Sequence, residues 1–263
     1  MSRHYETLNL ATVAPAQPFE VEGGQPLALD SVSPLRLANS RPGSLVAAVS
    51  PESLGAEQYR RLAIRLQHLR TQRPLSKLLI SSAAPHEGKS LSAANLALTL
   101  ARPCQQRVLL LEGDLHRPAL LARLGAQHGL GLADWLQQRA PLNKCLARWP
   151  DLPLWVLPAS RATRPPLELL QAQSPARLLS QLDASFDWIV IDSPPLLPLA
   201  DACHWAQAAD GVLMVVRANR TRRSDLELAL RQLDRSNWLG VIFNDCHAAE
   251  HRYYTQYYPG RAS

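Results

Sequence analysis

Lys89 stands between Gly88 and Ser90, and it is one of only three lysines in a chain that carries 25 arginines. A glycine, an ammonium and a hydroxyl in that order meet the needs of a site that grips a nucleoside triphosphate. Lys89 can reach the β- and γ-phosphate oxygens, Ser90 can ligate Mg²⁺, and Gly88 lets backbone N–H groups converge on the phosphates. The neighbouring residues supply a frame for this chemistry. Residues 77–81 are an apolar run, 83–88 a turn containing Pro85 and Gly88, and 89 onward a helix-forming stretch. That is the strand, loop and helix layout of a phosphate-binding loop. Ala84, Pro85, His86, Glu87, Gly88, Lys89, Ser90 and Leu91 are therefore expected to surround a bound nucleotide. The first glycine usual in such loops, five residues before Gly88, is Ala83 here, so the first turn is made without a residue that favours positive φ.

The elements that must position this loop are legible as alternation. Apolar runs at 77–81, 107–111, 153–157, 187–191, 211–216 and 239–243 read as strands, separated by helical patterns at 89–102, 174–184 and 223–235. Ser53 to Leu69 places Leu62, Leu66 and Leu69 at helical spacing, an amphipathic first helix. The expected fold is α/β: a P-loop NTPase-type parallel sheet flanked by helices on both faces. Ligands in such sheets gather beyond the carboxyl ends of the strands. Two runs end there in acids. Residues 108–111 lead into Glu112-Gly113-Asp114, and residues 189–191 into Asp192-Ser193-Pro194-Pro195. The second has the form of a Walker B segment, which places Asp192 beside the Mg²⁺ that Ser90 would hold.

With 263 residues and 46% apolar content the chain can bury one sizeable core. The expected organisation is a flexible or loosely docked arm over 1–50, punctuated by Pro15, Pro18, Pro26, Pro34 and Pro42, a P-loop domain over 51–246, and a tail over 247–263. No run approaches the roughly 18 apolar residues of a membrane span, and residues 1–17 have no apolar signal core, so a cytoplasmic protein is expected. Cys104, Cys145, Cys203 and Cys246 are too widely spaced for a metal motif. The net charge of +6 includes no block of like charges that would mark a nucleic-acid arm, and no nucleic-acid partner is expected. Four of the six tyrosines, Tyr253, Tyr254, Tyr257 and Tyr258, crowd into the last eleven residues.

Together, Ala83-Ala84-Pro85-His86-Glu87-Gly88-Lys89-Ser90, Glu112-Gly113-Asp114-Leu115-His116 and Asp192-Ser193-Pro194-Pro195 resemble the signature segments of the bacterial tyrosine kinases of capsule and exopolysaccharide export. The resemblance covers about residues 53–246. It implies ATP and Mg²⁺ as cofactors, with Ser90, Asp114 and Asp192 at the metal. Lys89, Asp192, Glu112 and Asp114 would form the catalytic group, with Asp114 as the proton acceptor. The segment departs from the family's Asp-x-Asp-x-Arg in two places: Glu112 replaces the first aspartate and His116 the arginine, with Arg117 next to it. If the extra methylene hampers metal geometry, Glu112→Asp should raise activity. The same carboxylates could instead start a turn or cap the next helix. Asp201 and Asp210 read as cap or turn residues without chemistry.

The resemblance also gives the tyrosine cluster a role, as phosphoacceptors modified by a neighbouring subunit. It implies a homo-oligomer, a membrane chain-length (co-polymerase) adaptor that activates the kinase and holds it at the inner membrane, and a tyrosine phosphatase. In the first helix the family's subunit contact Glu-x-x-Arg-x-x-Arg appears as Glu57 and Arg60, followed by Ala63. Asn244, after the last strand, is expected to read the adenine edge, as in the related ATPase fold. Two other readings stay open. A positioning ATPase of the MinD/ParA type would carry a second lysine where this chain has Ala84, and a nucleotide-binding pseudokinase would accommodate Glu112 and His116.

Overall fold

The computed structural model describes residues 26–38, 45–102 and 106–246. In chain order the elements are β1 (Arg36–Leu37), α1 (Val46–Val49), α2 (Leu54–Arg70), β2 (Lys77–Ser82), α3 (Lys89–Ala101), β3 (Val108–Glu112), α4 (Leu120–Leu124) and β4 (Ala126–Gln127). They continue with α5 (Leu132–Leu136), α6 (Leu142–Cys145), β5 (Ala147–Arg148), β6 (Leu154–Leu157), α7 (Pro166–Ala172), α8 (Pro175–Asp183), β7 (Trp188–Asp192), α9 (Asp201–Ala208), β8 (Gly211–Arg217), α10 (Arg223–Leu230) and β9 (Trp238–Asn244).

Seven strands form one sheet in the order β5-β6-β3-β7-β2-β8-β9, parallel except for the two-residue β5. All six expected strands are present within a residue or so of their expected limits. The central strands have both faces covered, which is why they read as continuous apolar runs. Alternation within them divides the core in two. Leu78, Ile80, Val108, Leu110 and Val190 point into the layer under α2 and α3. Leu79, Leu109, Leu111, Ile189 and Ile191 point into the other, under α8, α9 and α10. Helix starts follow local chemistry: the Ser53 side chain accepts from the amide of Ala56, and the Ser174 side chain from that of Arg177, with Pro175 in the first turn of α8.

The strand order matters most for function, because it sets the carboxyl ends of β3, β7 and β2 side by side. Glu112 pairs in register with Asp192, and Asp192 with Ile80.

Of the flexible or loosely docked arm expected over residues 1–50, the described residues 26–38 and 45–50 are docked against the domain. Leu29 and Val32 join one core layer, Leu35, Leu45 and Ala47 the other, and β1 pairs antiparallel with β4. Short apolar residues scattered among prolines do not produce a period, so only the tertiary context reveals this docking. Residues 1–25 and the tail over 247–263, including its four tyrosines, lie outside the described residues. Cys145, Cys203 and Cys246 are free thiols, and Cys104 also lies outside. Among the described residues no helix is long and apolar enough to cross a membrane.

Candidate active site

The loop after β2 turns through His86, at φ +66°, and Gly88, at φ +100°. Gly88 caps α3 without a side-chain hydrogen bond, so the amides of the first helical turn remain available to an anion. Glycine is required at 88 for space as well as φ: a Cβ there would lie 2.0 Å from Asn244 Nδ2. The loop is braced from the neighbouring strands β8 and β9 and the turn after β8. Asn244 Nδ2 donates to the Glu87 carbonyl at 3.0 Å, and Arg217 Nη1 donates to the His86 carbonyl at 3.4 Å. The Thr221 hydroxyl donates to Glu87 Oε1 at 2.6 Å. Glu87 is itself buried and its other oxygen accepts from the amide of Ala84 at 3.4 Å.

Asp192 is 1% exposed, and neither of its carboxylate oxygens makes a hydrogen bond among the described residues. Burial pushes its pKa up to about 7; the facing Ser90 hydroxyl and Lys89 pull it down, while Glu112 and Asp114 push it further up. Lys89 is 8% exposed and in no salt bridge among the described residues, and burial lowers its pKa against the opposing pull of Asp192, Asp114 and Glu87. A desolvated carboxylate facing a hydroxyl, with a desolvated ammonium beside them at a helix N-terminus, suits a bound cation and phosphate. These residues fit Mg²⁺ and a triphosphate: Ser90 and Asp192 would hold the ion, with water and phosphate oxygens completing its shell.

The acidic segment after β3 divides its labour differently from the expectation. Glu112 is 1% exposed; its Oε1 accepts from the amides of Ala119 at 2.6 Å and Leu120 at 2.7 Å, and its Oε2 from that of Ala159 at 2.9 Å. Burial raises its pKa, against the lowering effect of those three amides. Glu112 thus clamps the start of α4 to the loop after β6, the capping role, and both oxygens are engaged away from a metal. Asp114 keeps one oxygen in a turn, accepting from the amides of His116 at 3.2 Å and Arg117 at 3.0 Å. Its Oδ2 has no hydrogen bond among the described residues, and the side chain lines a cavity of about 370 Å³ together with Lys89, Ser90, Pro85, His86 and Leu91.

Sequence reading missed the partner of His116. Its Nε2 lies 2.7 Å from Oδ2 of the buried Asp201 at the start of α9. Trp205, one turn further on, packs against Gly113, where a Cβ would come within 2.8 Å of its ring. Helix α9 therefore holds the acidic segment by two contacts that are separated by some 85 residues in sequence, and no local spacing could announce them. Asp210, expected to cap a helix or serve a turn, instead makes a long-range tie: its Oδ2 accepts from the amides of Ser76 and Lys77 at the start of β2. In α2, Glu57 pairs with Arg60 at 2.6 Å within the helix, and Ala63 is buried.

No family model matches the chain. Among curated relatives it is 30% identical over 216 residues to the tyrosine-protein kinase YwqD of Bacillus subtilis, covering 81% of this chain and 91% of that one. It is 31% identical over 170 residues to the tyrosine-protein kinase CpsD of Streptococcus agalactiae, covering 64% and 73%. A third relative, the succinoglycan biosynthesis transport protein ExoP of Rhizobium meliloti, is 32% identical over 206 residues, which are 76% of this chain and 26% of that longer one. The fold matches the kinase domain of the Escherichia coli tyrosine kinase ETK with TM-score 0.74 and 24% identity, covering 81% and 84%. It matches the VpsO kinase domain with TM-score 0.64 and 31% identity, covering 76% and 100%. The septum site-determining protein MinD of Pyrococcus horikoshii, complexed with Mg-ADP, shares the fold more distantly, with TM-score 0.54 and 21% identity over 64% and 69%. With a curated relative matched along nine-tenths of its length and kinase domains matched in fold, the chain belongs to the family of bacterial tyrosine-protein kinases.

Proposed function

We propose that the chain is an ATP- and Mg²⁺-dependent tyrosine autokinase that regulates exopolysaccharide or capsule polymerisation and export, and that it phosphorylates the tail tyrosines Tyr253, Tyr254, Tyr257 and Tyr258 of a neighbouring subunit. One observation carries this reading: the buried Asp192 faces Ser90, and Ser90 lines a cavity together with Lys89 from the phosphate loop and Asp114 from the acidic segment. Bound ATP with Mg²⁺ would supply the γ-phosphoryl group and neutralise much of its charge. Lys89 and the first amides of α3 hold the phosphates, and Ser90 and Asp192 the ion. Asp114 Oδ2 accepts the phenolic proton as the tyrosine oxygen attacks in line. Glu112 is assigned to clamping the backbone of that segment and Asn244 to bracing the loop beside the adenine.

The relatives support the setting. A relative named for succinoglycan transport carries the matched region as about a quarter of its length, which supports a membrane adaptor as the partner that activates the kinase at the inner membrane. Reversal by a tyrosine phosphatase and assembly as a homo-oligomer complete the proposal. A positioning ATPase is disfavoured by Ala84, which stands where those proteins carry a second lysine.

The trans reaction is tested by mixing two chains: Lys89→Ala with its tail intact, and an active chain lacking residues 253–263. With ATP, Mg²⁺ and the adaptor's cytosolic segment, phosphotyrosine should accumulate on the Lys89→Ala chain. An unlabelled Lys89→Ala chain in a mixture that demonstrably binds nucleotide would refute transfer between subunits.

A further inference from the structure

The same cavity has a second basic wall. Arg117 and Arg123 line it, one three residues after Asp114 and the other in α4, and neither guanidinium has an acidic partner among the described residues. Both side chains are exposed, and the backbone that carries them is held in place. The amide of Arg117 is bound to Asp114 Oδ1 at 3.0 Å, and the start of α4 is tied down by Glu112. The triphosphate is already served from the other side by Lys89, Ser90 and the amides of α3. Arg117 and Arg123 therefore face whatever enters as acceptor.

That acceptor, in the reading proposed above, is the tail over 247–263, whose one acidic side chain, Glu250, precedes the tyrosine cluster. Residues 251–263 read HRYYTQYYPGRAS, with Arg252 and Arg261 both cationic. Unmodified, the segment has the same sign of charge as this wall. One phosphotyrosine reverses the match, since it brings roughly −1.5 to −2 charges and three acceptor oxygens, and a guanidinium binds a phosphomonoester bidentately. The tyrosines stand within five residues of one another, so a phosphate on one leaves free phenols nearby on the same segment.

We propose that Arg117 and Arg123 form a phosphotyrosine-binding subsite, which holds a tail already phosphorylated at one tyrosine and presents another of its tyrosines to Asp114. Modification of the cluster is then primed: the first phosphate makes the later ones faster. The transfer itself keeps its balance. The free phenol oxygen bonds to the γ-phosphorus of ATP, the bond to the β,γ-bridging oxygen breaks, Asp114 takes the phenolic proton and ADP leaves. The inference rests on the tail being the acceptor, and its test separates the two.

The enzyme is the full chain with its four tail tyrosines changed to Phe, supplied with ATP, Mg²⁺ and a peptide of residues 247–263, either unphosphorylated or bearing phosphotyrosine at 254. The primed peptide should show a kcat/KM at least about tenfold higher, mainly through KM. Millimolar inorganic phosphate should erode that advantage without slowing the unprimed peptide, which distinguishes phosphotyrosine from the free ion as the preferred occupant. In Arg117→Gln/Arg123→Gln the primed-to-unprimed ratio should fall to about one. Equal kcat/KM for the two peptides on the unsubstituted wall, a ratio that survives the double substitution, or a primed peptide that binds tightly and is never phosphorylated further would each overturn the subsite. Neither peptide being phosphorylated by an enzyme that binds ATP would instead overturn the tail as acceptor. Should the double variant not fold, the two-peptide comparison and the phosphate competition decide the matter without it.

Discussion

At the scale of residues, Asp192 sets the electrostatic character of the site. A carboxylate whose pKa rises from 3.8 to about 7 on folding binds its proton more tightly in the folded chain than in the unfolded one. Its contribution to stability is fully present below about pH 4 and is lost as pH rises through about 7, a total of up to ~4 kcal/mol for a group this buried. The nucleotide-free protein should therefore lose stability across that window, and Asp192→Asn should lessen the loss and be the more stable form at pH 8 by up to a few kcal/mol. Urea titrations at pH 5, 6, 7 and 8 measure this. An Asp192→Asn chain less stable than the parent at pH 8 would show that the carboxylate has a partner in the folded chain. Glu112 yields the opposite lesson. Because its oxygens bind the amides of Ala119, Leu120 and Ala159, shortening it as in Glu112→Asp should destabilise by ~1–3 kcal/mol and lower kinase activity, where sequence alone suggested a gain. Paired denaturation and activity assays on that variant check both directions.

At the scale of elements, the parts that could be read in advance are those whose chemistry is local. Gly88-Lys89-Ser90 follows β2 and opens α3, and the residues of β3 and β7 run into acids at their carboxyl ends, because strand, turn and helix signals all lie within a few residues of each other. What was not legible depends on pairing across the fold. His116 meets Asp201 only because β7 lies between β3 and β2 and delivers α9 over the acidic segment. Thr221 and Arg217 reach the phosphate loop only because β8 lies next to β2. How residues 27–37 dock was not legible, because their few leucines fit no period. The α9 bracing has a testable weight. Asp201→Ala frees His116 and loosens the segment that holds Asp114, so kcat should fall by roughly tenfold or more while KM for ATP, set by the untouched phosphate loop, stays near its parent value. Steady-state kinetics resolve the two constants, and a change confined to KM would place the role of Asp201 elsewhere.

At the scale of the whole molecule, the sheet order converts separate sequence segments into one cavity, with a phosphate loop on one side and the acidic segment with its arginines on the other. The sheet and its cavity lie within the described residues, while the proposed acceptors Tyr253, Tyr254, Tyr257 and Tyr258 follow in sequence after β9, the strand whose last residue, Asn244, braces the phosphate loop. In the proposed reaction catalysis and substrate are joined in one chain but carried on different parts of it, an arrangement suited to the proposed exchange between subunits. The central claim is that the triphosphate held by Lys89 delivers its terminal phosphoryl group to a phenol of that tail. Phosphosite mapping by mass spectrometry, after incubation of the purified chain with ATP, Mg²⁺ and the adaptor's cytosolic segment, tests it most directly. Phosphate should appear on Tyr253, Tyr254, Tyr257 and Tyr258 and be absent from Lys89→Ala alone; bound nucleotide with no modified tyrosine, or labelling that persists in Lys89→Ala, would contradict it.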